Sequence, residues 1–432
     1  MKYNWLHLEK QEGIPLYQQI KSLLLKQIEE DYLKQGERLP SIRYCAKQLQ
    51  VSLTSVKHAY AILMEEGYID AKAQSGYYVC VDKEGLRIRE DVKSKEVMEQ
   101  PKIPYDFRTS GIDENSFDMV HWKRCIRRAF EYTDLLAYGD VQGEKMLRKV
   151  LKQYVYRNRG VLCREQQMVI GASVQTLLYQ LCGLLQSECV YMDHHPFMQA
   201  KQVFEDCHMQ VKYCELETAP NLSKHALLYV NSASFGKEKT YMCDALRNHL
   251  IQEVKEKQGY LIEDDKNGEL RYIHKAKRAM QGSDPNHIIY IGTLSKLLMP
   301  SLRIAYMVLP QELANRYHQI KKQYNPTASK MEQIALAYYI AEGHMERHLY
   351  HVRKQYRRKY EVLSTLLCQY VPEWKWVLDE GALRIYVQKA SVTKPIPKEI
   401  AYDETETELI FSFASIAESD MREAFVKIKN GA

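Results

Sequence analysis

The chain has 432 residues, of which 45% are hydrophobic and 27% are charged, so it is long enough for two or three domains and ordinary in composition for a soluble globular protein. No apolar run approaches the thickness of a bilayer and the first residues lack the apolar segment of a signal peptide, so we expect a cytoplasmic protein without a membrane partner. The ten cysteines form no Cys-x-x-Cys pair, which argues against a disulfide framework and against a metal site.

The formal net charge of +6 does not by itself indicate a nucleic-acid partner. Residues 1–81 contain ten Lys or Arg and nine Asp or Glu, so this region is almost neutral. Any DNA-binding role must therefore be argued from the positions of the basic residues rather than from their number.

Three helices are predicted in the first 67 residues. Pro15 begins the first helix, Ser41 is a suitable N-cap for the second, and the third follows a turn at Val51 and Ser52 and ends before Gly67. Apolar residues recur at helical spacing in all three segments and should face one core. These residues are Leu16, Ile20, Leu23, Leu24, Ile28, Ile42, Cys45, Ala46, Leu49, Val56, Ala59, Tyr60 and Leu63.

Residues 68–81 resemble two short strands around a tight turn at residues 73–76. Three helices followed by such a hairpin predict a winged helix-turn-helix, whose third helix enters the major groove of DNA. The outward residues near the start of that helix would then meet bases or phosphates. They are Ser52, Thr54, Ser55 and Lys57.

Residues 82–104 are charged, have no sustained period and contain two prolines near their end, so we interpret them as a linker. A second unit follows, from residue 105 to residue 432. In it, residues 169–175 are predicted to form a strand and a turn of small residues before an apolar helix at residues 176–185. The backbone N–H groups of Gly171, Ala172 and Ser173 would form a phosphate cradle at the start of this helix.

Two buried strands in the second unit end in reactive groups. The apolar stretch 259–265 ends in Asp264 and Asp265, and residues 288–291 form a strand that should be buried on both faces and lead to Lys296. A lysine among apolar walls loses its charge more easily and becomes nucleophilic, which suits a Schiff base.

Pyridoxal phosphate needs a lysine for its aldehyde, a carboxylate to keep its ring nitrogen protonated, and donors for its phosphate. Lys296 and Asp264 provide the first two groups. Donors for the phosphate come from Thr293, Ser295 and Arg303, in addition to the turn at residues 171–173.

Given these motifs, the chain resembles the MocR-type branch of the GntR transcription regulators over nearly its whole length. The resemblance is carried by LYQQI, GERLPSIR, EGYI and SGYYV in the first unit, and by YGDVQG, EDD, GTLSK and PSLR in the second. It implies an α/β fold with an N-terminal winged helix-turn-helix at residues 1–81. A fold-type I, pyridoxal-phosphate-dependent-transferase-like domain (class I/II aminotransferase-like) with a reduced C-terminal subdomain would follow at residues 105–432.

The resemblance also implies partners and residue roles. The partners are operator DNA, a small-molecule effector (pyridoxal phosphate or an amino compound) and a second copy of the chain. Phe197 is the candidate for stacking on the pyridine ring, although it can equally be a core residue that follows a strand. The positions expected to face DNA are Arg38, Ser41, Arg43, Ser52, Thr54, Ser55, Lys57 and Gly76.

The chain departs from the family pattern at several of these positions. Leu53 replaces an arginine at the start of the third helix, Val174 replaces a side-chain donor near the phosphate, and residues 231–236 lack the usual Pro and His. Lys266 replaces a tyrosine that contacts the ring oxygen, and it either stabilises that oxygen or points to solvent. Residues 388–409 contain no arginine for a substrate carboxylate, which leaves Arg384 either as a substitute or as an exposed strand residue.

Three functions fit this pattern. The first is a transcription regulator whose aminotransferase-like domain binds pyridoxal phosphate through Lys296 as a sensor and dimerisation domain. The second is an active aminotransferase with a DNA-binding appendage, which the missing arginine argues against. The third is a regulator whose altered site no longer binds the cofactor.

Overall fold

A computed structural model describes residues 3, 5–8, 14–30, 32–72, 75–80, 103–108, 111–113, 116–132, 134–185, 187–194, 197–216, 222–232, 235, 242–295 and 297–430. The chain divides into two compact units, Met1–Lys102 and Ile103–Ala432. Most of the predicted linker, residues 82–102, lies outside the described residues, and the linker remains a prediction.

The N-terminal unit consists, in its described part, of three helices and a hairpin. The helices are α1 (Leu16–Glu29), α2 (Ile42–Leu49) and α3 (Leu53–Glu65), and the antiparallel strands are β1 (Ile69–Lys72) and β2 (Gly76–Val79). This is the predicted winged helix-turn-helix. The predicted apolar faces meet in one core, in which Ile20, Leu24, Cys45, Val56, Ala59 and Leu63 are fully buried.

Two serines fix where the second and third helices begin. The Ser41 hydroxyl accepts the backbone N–H of Tyr44 at 3.2 Å, as predicted for an N-cap. The Ser52 hydroxyl accepts the backbone N–H of Ser55 at 3.0 Å in the same way. Ser41 therefore fixes the start of α2, and Ser52 fixes the start of α3 at the end of the turn between the two helices.

A seven-stranded sheet forms the centre of the second unit. Its strands are β4 (Met168–Gly171), β5 (Cys189–Met192), β6 (Gln210–Tyr213), β7 (Leu227–Val230), β8 (Tyr260–Asp264), β9 (Ile288–Thr293) and β10 (Ala305–Val308), in the order β4-β10-β9-β8-β7-β5-β6. Strand β10 runs antiparallel to β4 and β9, and the other strands are parallel to one another. The carboxyl ends of six strands therefore share one edge of the sheet.

Both faces of this sheet are covered, which explains the long apolar runs of its strands. In β9, Ile289 and Ile291 pack into one core and Tyr290 into the opposite one, and all three are at most 1% exposed. The prediction that residues 288–291 are buried on both faces is confirmed. Strand β10 begins at Ala305, so Arg303 lies two residues before it.

Helices surround the sheet and continue into the C-terminal part. They are α4 (Met119–Phe130), α5 (Lys145–Arg159), α6 (Val174–Cys182), α7 (Met198–Asp206), α8 (Asp244–Glu256), α9 (Gln311–Ile320), α10 (Lys330–Ala341), α11 (His344–Tyr370) and α12 (Glu418–Asn430). Helix α6 begins two residues earlier than predicted because Ser173 caps it, and it ends before Gly183. Within the described ranges, no helix has both the length and the apolar character that a membrane span requires.

A smaller antiparallel sheet completes the fold. It contains β11 (Trp376–Asp379), β12 (Arg384–Gln388), β14 (Asp403–Glu404) and β15 (Glu408–Ser412), and a separate parallel pair joins β3 (Tyr105–Asp106) to β13 (Ile400–Ala401). Strand β12 begins at Arg384. Leu383 has a φ of +58°, which extended backbone does not adopt, so the strand cannot start earlier.

A buried ion pair joins α5 to the end of β8. Arg159 donates from Nε to Asp265 Oδ2 at 2.6 Å and from Nη2 to Asp265 Oδ1 at 2.9 Å, and both side chains are at most 1% exposed. Tyr290 donates to the same carboxylate at 2.7 Å. A Cβ at Gly268 would lie 2.1 Å from Asp265 Oδ1, so only glycine leaves room for this arrangement.

We expect Arg159→Met to lower the free energy of unfolding by about 3 to 5 kcal/mol, because it leaves the buried Asp265 charge without its partner. Arg157→Met is the matched control, since Arg157 is exposed in the same last turn of α5 and should change stability by about 0.5 kcal/mol or less. Urea unfolding followed by circular dichroism measures both. Equal stability of the two variants would contradict a structural role for the pair.

Candidate functional site

The candidate site lies where β8 and its neighbours end, and three consecutive carboxylates there have three different surroundings. Glu263 accepts the Ser232 hydroxyl at 2.8 Å and the backbone N–H groups of Met280 and Gln281, so it supports the loops beneath the site. Asp265 is held by Arg159. Asp264 lies between them and is the carboxylate that remains for a ligand.

Asp264 is 1% exposed and only half satisfied. Its Oδ2 accepts the hydroxyl of Tyr229 on the neighbouring strand β7, whereas its buried Oδ1 has no hydrogen-bond partner among the described residues. Burial raises the pKa of Asp264 above its ordinary value, although the Tyr229 hydrogen bond and the charge of Lys266 act in the opposite direction. The site therefore contains a buried acceptor that is ready for a donor.

Phe197 and Lys266 lie together beside this carboxylate. Phe197 is half-buried and directly precedes α7, and the Lys266 ammonium lies 4.2 Å from the centre of its ring. Lys266 therefore turns inward and does not point to solvent. Burial is the main cause that lowers the pKa of Lys266; Asp264 and Asp379 raise it, and the positive charge of Arg384 lowers it further.

The candidate phosphate donors lie at the same end of the central sheet, on the side formed by β4, β10 and β9. Gly171 ends β4 and Thr293 ends β9, and both pair with Ala305, the first residue of β10 between them. The Ser173 hydroxyl accepts the backbone N–H of Thr176 at 3.1 Å, which fixes the start of α6. The backbone N–H of Ala172 already donates to the Thr327 hydroxyl at 3.2 Å, so this member of the predicted cradle has a partner.

The other predicted phosphate donors border the same edge. The Ser295 hydroxyl donates to the carbonyl of Leu302 at 3.2 Å, which closes the loop between β9 and β10. Arg303 is exposed and precedes β10. The structure thus brings residues 171–173, Thr293, Ser295 and Arg303 to one end of the sheet.

Lys296, the predicted Schiff-base lysine, lies outside the described residues. Its neighbours are described, and Leu294, Leu297 and Leu298 are at most 3% exposed. The carbonyl of Leu297 lies 2.6 Å from Nε2 of the buried His348 on α11. The residues on either side of position 296 are therefore largely buried, and the apolar surroundings of Lys296 remain a prediction.

Sequence reasoning missed Tyr229 and His348. Tyr229 is a tyrosine within the apolar strand segment Leu227–Val230, and a hydroxyl in such a buried strand signals the need for a polar partner. His348 is one of many polar residues in a 27-residue helix, and nothing in its local sequence distinguishes it. Its contact with the loop depends on how α11 packs.

Arg384 is not a fully exposed strand residue. It is half-buried at the start of β12, its guanidinium carbon lies 5.1 Å from the centre of the Tyr386 ring, and its Nε is buried without a hydrogen-bond partner among the described residues. The positive charge of Arg384 is a smaller cause of the lowered pKa of Lys266, after burial.

The candidate DNA-facing positions lie in the N-terminal unit. Arg38, Ser41, Arg43, Ser52, Thr54 and Lys57 are exposed, whereas Ser55 and Gly76 are partly buried. Gly76 has a φ of +119°, and a Cβ there would lie 3.0 Å from Nε of Arg38. The guanidinium of Arg38 therefore lies against the backbone of the wing, and any side chain at position 76 would displace it.

Comparison with known protein families identifies both units. The model of bacterial regulatory proteins of the gntR family matches residues 16–79, and the model of class I and II aminotransferases matches residues 111–409. The uncharacterized HTH-type transcriptional regulator YdeL of Bacillus subtilis is 30% identical over 98% of each chain. The probable rhizopine catabolism regulatory protein MocR of Rhizobium meliloti is 26% identical over 87% of this chain and 82% of its own.

A third relative and two solved structures extend the comparison. The pyridoxine biosynthesis transcriptional regulator PdxR of Corynebacterium glutamicum is 25% identical over 82% of this chain and 78% of its own. A kynurenine aminotransferase of Pyrococcus horikoshii has a TM-score of 0.65 at 21% identity, over 80% of this chain and 93% of its own. A mutant aspartate aminotransferase of Thermus thermophilus has a TM-score of 0.67 at 16% identity, over 80% and 96%. At these identities the two structures show the fold alone.

We expect Asp264→Asn to raise the free energy of unfolding at neutral pH by about 1 to 3 kcal/mol, because it removes a buried charge with an unpaired oxygen. The raised pKa of Asp264 sets the sign. The penalty is absent below the unfolded-state pKa of about 3.9 and grows as the pH rises toward the folded-state pKa. Parent and variant should therefore converge in acid.

Asp193→Asn is the matched control, because Asp193 directly follows β5 at the same edge and is only half-buried. Chemical unfolding between about pH 4 and pH 8 measures all three proteins. A difference between parent and Asp264→Asn that does not change with pH would show that burial of the charge is not its cause.

Proposed function

The chain belongs to the MocR-type branch of the GntR family of transcription regulators, and from this premise we propose that its aminotransferase-like unit binds pyridoxal phosphate as a sensor that controls DNA binding. The observation that carries the proposal is the buried, unfilled Oδ1 of Asp264. A protonated ring nitrogen is a charged donor, and it would both satisfy this oxygen and stabilise the carboxylate. When bound, the cofactor supplies an aldehyde and an electron-withdrawing ring.

Other residues of the site would contact the ring, the aldehyde and the phosphate of the cofactor. Phe197 would provide an aromatic face for the ring, and Lys296 would provide the amine for the aldehyde. The start of α6, the hydroxyls of Thr293 and Ser295, and Arg303 provide donors for the phosphate at the other end. The name of the relative PdxR, a regulator of pyridoxine biosynthesis, also supports a pyridoxal compound as ligand.

Two departures from the family pattern argue against efficient transamination as the main activity. Turnover requires a substrate held in a fixed orientation, and the usual device is an arginine that grips the carboxylate bidentately. Residues 388–409 contain no arginine, and Lys266 replaces the usual tyrosine at the ring oxygen. We therefore propose a ligand-responsive regulator rather than an aminotransferase.

For the N-terminal unit we propose that α3 enters the major groove of operator DNA. The exposed Thr54 and Lys57 at its start would face bases or phosphates, and Arg43 on α2 would contact the backbone. Arg38 would reach the duplex from beside the wing. Such a regulator acts where the chromosome is, so we propose a cytoplasmic location.

We also propose that the protein is a homodimer. Val120, Phe130, Leu136 and Tyr138 are apolar or aromatic, fall within 19 consecutive residues, and are each at least 65% exposed. Exposed apolar side chains concentrated in this way favour an interface with another protein surface. A second copy of the chain is the partner that the family suggests.

We expect Arg43→Ala and Lys57→Ala each to weaken binding to a selected operator. Loss of a phosphate contact should reduce the salt dependence by about one counterion, and loss of a base contact should cost about 1 to 3 kcal/mol and relax specificity at one position. Fluorescence anisotropy at several salt concentrations distinguishes the two. Lys26→Ala, an exposed residue of α1, is the control, and variants that bind like it would disprove this docking.

We expect Lys296→Ala to abolish the visible absorption that the parent shows with pyridoxal phosphate, because the covalent link is lost. DNA affinity without ligand should persist, and the response of DNA binding to pyridoxal phosphate should disappear, since a ligand acts only through differential affinity for two states. Lys296→Arg is the matched variant, because it keeps the positive charge but forms no such link. It should behave like Lys296→Ala in all three measurements.

A competing role for Lys296 is structural, as the charge partner of Asp264. Lys296→Ala would then lower stability by about 3 to 5 kcal/mol without any cofactor, and Lys296→Arg would not. Thermal unfolding of both variants with and without cofactor separates the two roles. A parent protein that shows neither a visible band nor a cofactor-dependent melting temperature would overturn the sensor proposal, and turnover of an amino acid would favour the enzyme.

A further inference from the structure

The backbone of the loop between α1 and α2 pairs with the wing. The N–H of Leu39 and the carbonyl of Glu37 each bond to the backbone of β2, at 2.8 Å and 3.0 Å. Arg38 lies between them, opposite Tyr78. In antiparallel pairing, a residue at this position turns its own N–H and C=O away from the neighbouring strand. The carbonyl of Arg38 therefore faces away from the wing and is free for another donor.

Tyr3 supplies that donor. Its hydroxyl donates to the carbonyl of Arg38 at 3.0 Å, across 35 residues of sequence. Burial raises the pKa of the Tyr3 hydroxyl above its ordinary value, and the positive charge of Arg38 acts in the opposite direction. The hydroxyl therefore keeps its proton at neutral pH and remains a donor.

Two other aromatic rings orient Tyr3. The centre of its ring lies 5.9 Å from the ring centre of Tyr44 at a tilt of 56°, and 5.8 Å from the ring centre of Trp5 at 85°. Both are geometries that aromatic pairs prefer. Tyr44 lies in the first turn of α2, next to Arg43. The ring of Tyr3 is thus held against the helix that follows the Arg38 loop.

The residues that follow Tyr3 anchor it to the core of the N-terminal unit. Leu6 is 6% exposed and belongs to this core, and Trp5 and Leu8 pack against it. The backbone N–H of Leu6 donates to the carbonyl of Tyr3 at 3.3 Å. The position of the Tyr3 hydroxyl is therefore set by the same core that holds the three helices.

The side chain of Arg38 is exposed, and its guanidinium lies against Gly76 of the wing. An arginine reaches a fixed acceptor with a defined geometry only if its backbone is also held in place. A backbone that moves in the free protein has to be ordered when the partner binds, which weakens binding. The wing holds the Arg38 backbone on one side, and Tyr3 holds it on the other.

We propose that Tyr3 is a positioning residue for operator binding, whose hydroxyl holds the backbone of Arg38 where its guanidinium reaches the DNA duplex. The inference rests on the proposed function, since Arg38 is one of the residues proposed to reach operator DNA. Tyr3 acts through Arg38 and not through a contact of its own with the duplex. Its contribution to DNA affinity therefore exists only while the Arg38 side chain is present.

A double-mutant cycle on the full-length protein tests the proposal, with fluorescence anisotropy of a selected operator duplex as the measurement. We expect Tyr3→Phe to weaken binding by about 3-fold to 10-fold, the effect of one hydrogen bond. Arg38→Ala should weaken it by about 10-fold to 100-fold, the effect of one charged hydrogen bond. Adding Tyr3→Phe to Arg38→Ala should change the affinity by less than about 2-fold, because the side chain that Tyr3 positions is gone.

Tyr17→Phe is the matched control. Tyr17 is a partly buried tyrosine of α1, and its hydroxyl accepts from the side chain of the neighbouring Gln18 at 3.3 Å. This variant should bind the operator as the parent does, and melting temperatures verify that every variant is folded. If Tyr3→Phe binds like Tyr17→Phe, the proposal is overturned. Equal weakening by Tyr3→Phe with and without Arg38 also overturns it, because Tyr3 would then act through stability or through its own contact with DNA.

The parent and Arg38→Ala separate this inference from the proposed function. If the parent selects no operator from a random pool of duplexes, the DNA-binding function fails and the positioning role fails with it. If the parent binds a selected operator and Arg38→Ala binds it equally well, DNA binding stands and the positioning role is overturned.

Discussion

The bidentate contact between Arg159 and Asp265 is the constraint on which the site depends. It fixes the residue directly after β8 from the side of α5, while Tyr290 donates to the same carboxylate and Gly268 packs closely against it. Because neighbouring side chains of a strand point in opposite directions, holding Asp265 on one side directs Asp264 to the other. The ion pair between Arg159 and Asp265 therefore determines that Asp264 is the carboxylate that faces the site.

Folding leaves some buried polar atoms of the site without a hydrogen-bond partner among the described residues. Asp264 retains an unfilled oxygen, and Arg384 retains an unfilled nitrogen. Each is buried at a cost that the rest of the core has to offset, and this core is large because both faces of the central sheet are covered. Such a protein gains stability when a complementary ligand binds.

The sequence allowed the elements to be predicted where local pattern decides them. Helices α1 to α3, the wing and strand β9 follow from residue spacing and from caps such as Ser41. Each of these signals is local, because it involves residues only a few positions apart in the chain. The start of β12 does not follow from such local signals, because the positive φ of Leu383 is set by its surroundings and not by its side chain. The inward turn of Lys266 and the direction of Arg384 depend on packing between elements far apart in the chain, which spacing does not encode. The roles of the site residues remain predictions.

The pairing of β4 has a consequence for how the chain emerges from the ribosome. This strand ends at residue 171 at the edge of the sheet, and in the described part of the chain it pairs only with β10, which begins at residue 305. At a synthesis rate of about 5 to 20 residues per second, β4 waits on the order of ten seconds for its partner. The winged helix-turn-helix closes its own core within the first 80 residues. A nascent chain can thus complete its winged helix-turn-helix well before the central sheet of the second unit can form.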